Sequence, residues 1–178
     1  MYLIKKEAYC VSNFNYDSYC GIYCGACSIL RAYQTGIKDK FASFMSDEMG
    51  FELRCHGCKT DTVFENCANC KARNCSINKK VERCIDCSNF PCDIVNSDEL
   101  KNILDKLPHL KTILNNIGTI KNIGVNKWLE DQDKKWKCPD CQTNFTWYTT
   151  KCSKCGKDLE KIMDYEKTFD KSIFEGIK

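Results

Sequence analysis

Sixteen cysteines among 178 residues are the side chains best able to do chemistry in this chain, and their spacing points to sulfur on metal. Eleven of them fall between Cys20 and Cys92. They run as Cys20, Cys24 and Cys27, then the pair Cys55 and Cys58, then the triads Cys67, Cys70, Cys75 and Cys84, Cys87, Cys92. Both triads leave two and then four residues between cysteines, and the pattern repeats seventeen positions on. A second concentration, Cys138, Cys141, Cys152 and Cys155, adds two more closely spaced pairs. Two thiolates separated by two residues reach one ion from a tight turn, and two such turns complete a tetrahedral site.

The rival use of so many thiols is disulfide bonding. Six Cys-x-x-Cys pairs take twelve of the sixteen cysteines, and a disulfide closed within such a pair is redox-labile rather than structural. The opening MYLIKKEAYC lacks the apolar run of a signal peptide, and no later stretch approaches a membrane span. The expected compartment is the cytoplasm, where clustered thiols hold metal, and no membrane partner is expected. The formal charge of +3 counts every thiol as neutral. Each zinc ion on four thiolates lowers it by two, so four sites would bring it to about −5. A whole-chain argument for nucleic acid from basicity therefore fails, and only local patches remain.

Counting constrains the sites. Cys138, Cys141, Cys152 and Cys155 make one closed set of four. The eleven cysteines of the first stretch do not divide by four. Either Cys10 or His56 supplies a twelfth ligand, or one site keeps three protein sulfurs and an open position, or one cysteine stays a buried thiol. Zinc at about four sites is the expected cofactor. The alternative is a [4Fe–4S] cluster in the N-terminal domain, for which Cys20, Cys24 and Cys27 have the better spacing. That spacing also occurs in radical S-adenosylmethionine enzymes, but the chain is too short for their barrel, and Ala26 stands where they place an aromatic residue. Cys92 follows Pro91, whereas ferredoxin runs place proline after cysteine. No nucleophile elbow, phosphate loop or paired-glycine dinucleotide turn is present. The two histidines have no catalytic spacing, so no catalytic residue is assigned.

Several blocks carry a specific resemblance. Tyr19-Cys20-Gly-Ile-Tyr-Cys24-Gly-Ala-Cys27, Cys55-His-Gly-Cys58, Cys67-x-x-Cys70-Lys-Ala-Arg-Asn-Cys75 and Val81-Glu-Arg-Cys84-x-x-Cys87-Ser-Asn-Phe90-Pro91-Cys92 resemble a bacterial and archaeal cysteine-rich family of unknown function, DUF3795, over roughly residues 19–96. The resemblance implies a metal-binding module and no assigned activity. Further on, Cys138-Pro-Asp-Cys141, ten residues, and Cys152-Ser-Lys-Cys155-Gly156 resemble a rubredoxin-like zinc ribbon. Rubredoxin-type iron uses similar spacing, but with no redox partner domain in the chain zinc is the expected ion.

The elements that must position these sulfurs follow from periodicity. Gly21 and Gly25 each follow a cysteine, where freedom at positive φ turns amides toward sulfur. Ile29, Leu30 and Tyr33 predict a helix from Ser28 with Gly36 as its stop. Phe41, Phe44 and Met45 predict a second over Asp39–Met49. Residues 51–92 read as loops and single helical turns, with His56 a solvent-facing loop residue. Ser97 or Asp98 caps a helix carrying Leu100, Ile103, Leu104 and Leu107. Pro108 interrupts it before Leu110, Ile113, Leu114 and Ile117 continue the apolar face. His109 reads as an ordinary surface histidine. A further helix covers Val125 to Lys135, with Trp128 and Leu129. TNFTWYTT predicts the β-hairpin of the ribbon, and DLEKIMDYEKTF predicts a closing helix over 157–175.

The expected fold is small, α+β and metal-stabilised. It comprises a cysteine-rich, mainly α and loop domain (1–96), a helical connector (97–135), and a β-hairpin zinc ribbon with a closing helix (136–178). The expected function is non-catalytic: a multi-zinc binding or adaptor module for protein or nucleic acid, the alternative being an iron–sulfur or redox protein serving an enzyme. Nucleic acid rests on Lys134, Lys135, Lys137, Lys151, Lys154, Lys157 and Lys161 interleaved with Trp136, Phe145, Trp147 and Tyr148. The competing account has those aromatics filling the thin core under the cysteines.

Overall fold

The computed structural model describes residues 14–176 of the chain. Eight α-helices occur among them, most of them short: α1 Ser28–Thr35, α2 Lys40–Ser43, α3 Glu65–Ala68, α4 Lys71–Lys79, α5 Asp93–Asn96, α6 Asp98–Lys106, α7 Thr112–Ile123 and α8 Val125–Lys135. Among the described residues no helix is long and apolar enough to cross a membrane.

The first helices form where the apolar spacing demands. Helix α1 buries Ile29 and Leu30 and ends on Gly36 at φ 74°, a left-handed stop natural to glycine. Asp39 caps α2 by accepting from the Ala42 amide, and the same rod continues as a π-helical turn over Phe44–Glu48. Ser97 caps α6 through the Leu100 amide. Pro108 then opens a 3-10 turn, and α7 follows.

One apolar core runs through all three segments. Trp128 of α8 is fully buried and meets Tyr23 edge-on at 6.0 Å between centroids. Phe41 stacks on Tyr148 at 5.3 Å and meets Phe169 edge-on at 5.0 Å. The Asn116 side chain of α7 donates to the Gly21 carbonyl at 2.9 Å, ninety-five positions away. Burying side chains of this size contributes about 2–3 kcal/mol each.

Three expectations are corrected. The β-hairpin over TNFTWYTT is absent: among the described residues the only bridges are the isolated pairs Lys137↔Asn144 and Lys151↔Asp158. The backbone donors that a ladder needs are spent elsewhere. Phe145 donates to Trp136, Trp147 to Ala26, and Thr146 to its neighbour's hydroxyl, Thr149 Oγ1. Phe145, Thr146, Trp147 and Tyr148 are all buried in succession, which breaks the alternation of a two-faced strand.

The closing helix over 157–175 is absent too. The segment is a strap of turns that ends in a 3-10 turn, Lys171–Phe174. Leu159, Met163 and Lys167 are buried at helical spacing, which explains the misreading. Their partners nevertheless draw the chain out: Tyr165 Oη donates to the Trp147 carbonyl at 3.0 Å and Lys167 Nζ to the Thr149 carbonyl at 2.6 Å.

The third correction concerns His109. It is 3 % exposed, stacked on Trp147 at 3.9 Å and 14°, and its Nδ1 shares a 2.7 Å hydrogen bond with the Tyr148 hydroxyl. Burial pushes its pKa down to about 3, so the imidazole is neutral.

Candidate metal centre

The C-terminal cysteines come together as a ready tetrahedron. Each arm is the same turn. In the first, the Cys138 amide donates to the Thr143 carbonyl at 2.9 Å, and the Gln142 amide returns to the Cys138 carbonyl at 2.9 Å. In the second, Cys152 donates to Lys157 at 2.9 Å and Gly156 returns to Cys152 at 3.0 Å. The fourth residue after each leading cysteine is left-handed, Gln142 at φ 60° and Gly156 at φ 73°. The turns therefore repeat fourteen positions apart, and each projects two sulfurs toward the other.

The four Sγ atoms lie within 4.8 Å of one another. Cys138 to Cys155 is 3.6 Å and Cys141 to Cys152 is 3.4 Å. A disulfide needs about 2.05 Å, whereas Zn–S bonds of about 2.3 Å place tetrahedral sulfurs about 3.8 Å apart. The donor set thus fits a metal ion. Cys138 and Cys152 are buried, Cys141 is half-buried and Cys155 exposed. The Cys141 thiol is pulled down to about 6 by the Thr143 hydroxyl, 3.3 Å from its sulfur, and by the Thr143 amide. All fifteen described cysteines are free thiols; Cys10 lies outside the described residues.

The N-terminal cysteines are assembled more loosely, and the fold draws four separate blocks into one neighbourhood. The Asn15 amide donates to the His56 carbonyl at 2.8 Å, and the Cys84 amide to the Tyr19 carbonyl at 2.7 Å. Asp17, 8 % exposed, accepts from Lys59 Nζ at 2.7 Å and from Arg83 Nη2 at 2.5 Å. A buried carboxylate held by two cations thus ties the blocks around Cys20, Cys58 and Cys84 together. Gly57, at φ 126°, makes the approach possible, because a Cβ there would sit 1.9 Å from the Asn15 carbonyl oxygen.

Burial pushes Cys20 up to about 12, reinforced by the Cys58 thiol. Burial likewise raises Cys27 to about 12 against the pull of the Leu30 amide. Such thiols give up their protons when a cation takes the place of water, as metal ligands do. Lys79 Nζ lies 3.8 Å from Cys87 Sγ, and Arg73 Nε donates to the Cys58 carbonyl at 3.0 Å. These contacts suit the cations to balancing anionic sulfur.

Gly21 has the positive φ that its place after Cys20 predicts, 86°. Gly25 does not: it is glycine because the Tyr23 ring lies where its Cβ would be, with the nearest atom at 2.3 Å. The His56 ring sits between Phe14 at 5.0 Å and Tyr33 at 5.5 Å. Sequence reasoning missed Asp17 and Asp39, whose roles depend on partners far along the chain. It also missed Lys167, a cation pointed inward.

Residues 16–97 match DUF3795, described as a protein of unknown function. That stretch is similar to the DUF3795 family. Neither a curated protein nor a solved structure matches the chain. The matched stretch contains all eleven cysteines from Cys20 to Cys92, and the closed four-sulfur set lies outside it.

Proposed function

We propose that this chain is a multi-zinc protein with no chemistry of its own on a substrate, acting as an adaptor that docks another protein. The observation that carries this reading is the closed set of Cys138, Cys141, Cys152 and Cys155, its four sulfurs within 4.8 Å. A metal there has all four positions filled by protein and none open for a substrate. Such an ion stabilises folding by about 10 kcal/mol or more in small zinc peptides, and here it would hold the turns against the shared core. The free thiols favour a reducing compartment such as the cytoplasm.

Protein is favoured over nucleic acid by where the aromatics lie. Trp136, Phe145, Trp147 and Tyr148 are all buried, so they offer no platform on which bases could stack. Two of the nearby lysines are also in ion pairs, Lys137 with Asp133 and Lys157 with Asp140.

Elemental analysis of anaerobically purified full-length protein tests the reading, with about four zinc ions per chain and no acid-labile sulfide expected. Substantial iron with sulfide would replace it by the iron–sulfur alternative for the DUF3795-like stretch. Salt-dependent binding to a labelled single strand, expected to be absent even at low salt, would overturn the preference for protein.

A further inference from the structure

The four C-terminal sulfurs are placed for a second kind of chemistry. Among the described residues they are the one group of potential metal ligands drawn together, all within 4.8 Å. Two short separations run across the turns rather than within them: Cys138 to Cys155 at 3.6 Å and Cys141 to Cys152 at 3.4 Å. Each of these pairs joins a buried sulfur to a more open one. Cys138 is 0 % exposed and Cys152 5 %, whereas Cys141 is half-buried and Cys155 exposed.

Access is what distinguishes the four. On a metal ion every one of them is a thiolate, so a small oxidant is sorted by the sulfur it can reach. Cys155 lies in a run from Ser153 to Asp158 that is exposed throughout. Its close partner Cys138 belongs to the buried cluster that contains Trp136 and Trp147. A surface sulfur with a second sulfur beside it converts a sulfenic acid to a disulfide before oxidation goes further.

We propose that the C-terminal centre is a peroxide-sensitive switch in which Cys155 attacks the oxidant and Cys138 resolves the product, closing a cross-turn disulfide and releasing the ion. This rests on the zinc reading above and adds a means of regulating that site. In the first step the Cys155 thiolate attacks one oxygen of hydrogen peroxide; an S–O bond forms, the O–O bond breaks and hydroxide leaves. In the second, the Cys138 thiolate attacks the Cys155 sulfur; an S–S bond forms, the S–O bond breaks and a second hydroxide leaves. Two electrons pass from the sulfur pair to the peroxide. The sulfurs close from 3.6 Å to about 2.05 Å. Cys141 and Cys152 are then left with half of a tetrahedral site, and at 3.4 Å they are open to the same reaction with a second peroxide. Thiol–disulfide exchange with a small thiol reverses both bonds.

The test adds hydrogen peroxide stepwise to zinc-loaded full-length protein, reads released zinc with a chromogenic chelator, and maps disulfides by mass spectrometry after alkylation and trypsin digestion. Trypsin cuts after Lys151, Lys154 and Lys157, which leaves Cys138 and Cys141 on one peptide and Cys152 and Cys155 on two others. At the lowest effective dose, one zinc ion is expected to leave each reacted chain as the peptide 138–151 becomes linked to 155–157, with fragmentation placing the bond on Cys138. Dithiothreitol with added zinc is expected to restore the starting state. A bond within either turn, a first bond between Cys141 and Cys152, or sulfinic acid at Cys155 without a link would each overturn the switch and leave the zinc reading standing. A protein that neither carries nor takes up zinc, its four C-terminal thiols alkylating freely before peroxide is added, would bring down the reading beneath it. Cys155→Ser is expected to lose the low-dose zinc release; if that variant does not hold the ion, the disulfide map of the unaltered protein decides alone.

Discussion

The Thr146 hydroxyl donates to Asp39 Oδ2 across 107 positions of chain. The same carboxylate accepts from Ser28 Oγ at 2.6 Å, from the Ala42 amide at 2.8 Å and from the Tyr148 amide at 3.3 Å. One residue thus caps α2 and fastens the C-terminal cysteine turns to the first helices. Asp39→Ala is expected to cost about 2–4 kcal/mol, the sum of a lost cap and orphaned buried donors, with Asp39→Asn costing less. Urea unfolding of the zinc-loaded protein measures both.

His109 makes stability depend on acid. Its folded pKa, pushed down by burial to about 3, lies below the ordinary value of 6.5. The unfolded chain therefore takes the proton first, and the stability associated with the neutral ring is present above pH 6.5 and lost as pH falls toward 3. Acid also frees thiols from metal, so the informative quantity is the difference between proteins. The stability gap between wild type and His109→Asn is expected to narrow steadily from pH 7 to pH 4 by denaturant titration; a gap independent of pH would refute the burial argument.

Lys167 works at the other end of the scale. Burial lowers its pKa from 10.5 to about 8, and its ammonium sits 4.7 Å over the Phe145 ring. Between pH 8 and 10.5 the unfolded chain holds a proton that the folded one has released, so this residue's contribution rises with pH across that window. By up to about 3 kcal/mol, from 1.36 kcal/mol per pKa unit, the wild type is expected to gain on Lys167→Met as pH climbs from 8 to 10.5.

Gly57→Ala is expected to be severe. The new methyl group would meet the Asn15 carbonyl at 1.9 Å in a backbone conformation that side chains rarely adopt, at a cost of about 3 kcal/mol or more. Because the clash lies between Cys55 and Cys58, zinc should be lost first from the DUF3795-like stretch. Zinc counting on the purified variant is expected to find the C-terminal ion retained in excess over the others.

Chelation gives the broadest prediction. Stripping the metals is expected to erase the near-ultraviolet signal of Trp136 and Trp147, which share one buried cluster with Cys138 and Cys152. Retention of that signal by the stripped chain would mean that the apolar core holds these turns unaided.

What the sequence disclosed depended on how local the deciding interactions are. Helix α1 and its Gly36 stop, the Ser97 cap, the Pro108 break and α8 from Val125 to Lys135 all follow from residues within one or two turns. The turns made by the two C-terminal Cys-x-x-Cys pairs are equally local. What failed depends on distant partners. Trp147 gives its amide to Ala26, and Tyr148 gives its amide to Asp39; no period within TNFTWYTT reveals that. His109 carries a polar ring whose burial depends on Trp147 and Tyr148, thirty-eight and thirty-nine positions away.

The bond from the Trp147 amide to the Ala26 carbonyl, 3.1 Å, sets the backbone of one cysteine region directly on a turn of the other. Loss of an ion at one end would therefore slacken a contact that the other end also uses, while the other end's own sulfurs stay together, so metal supply would set how readily a protease finds an opening in the shared core.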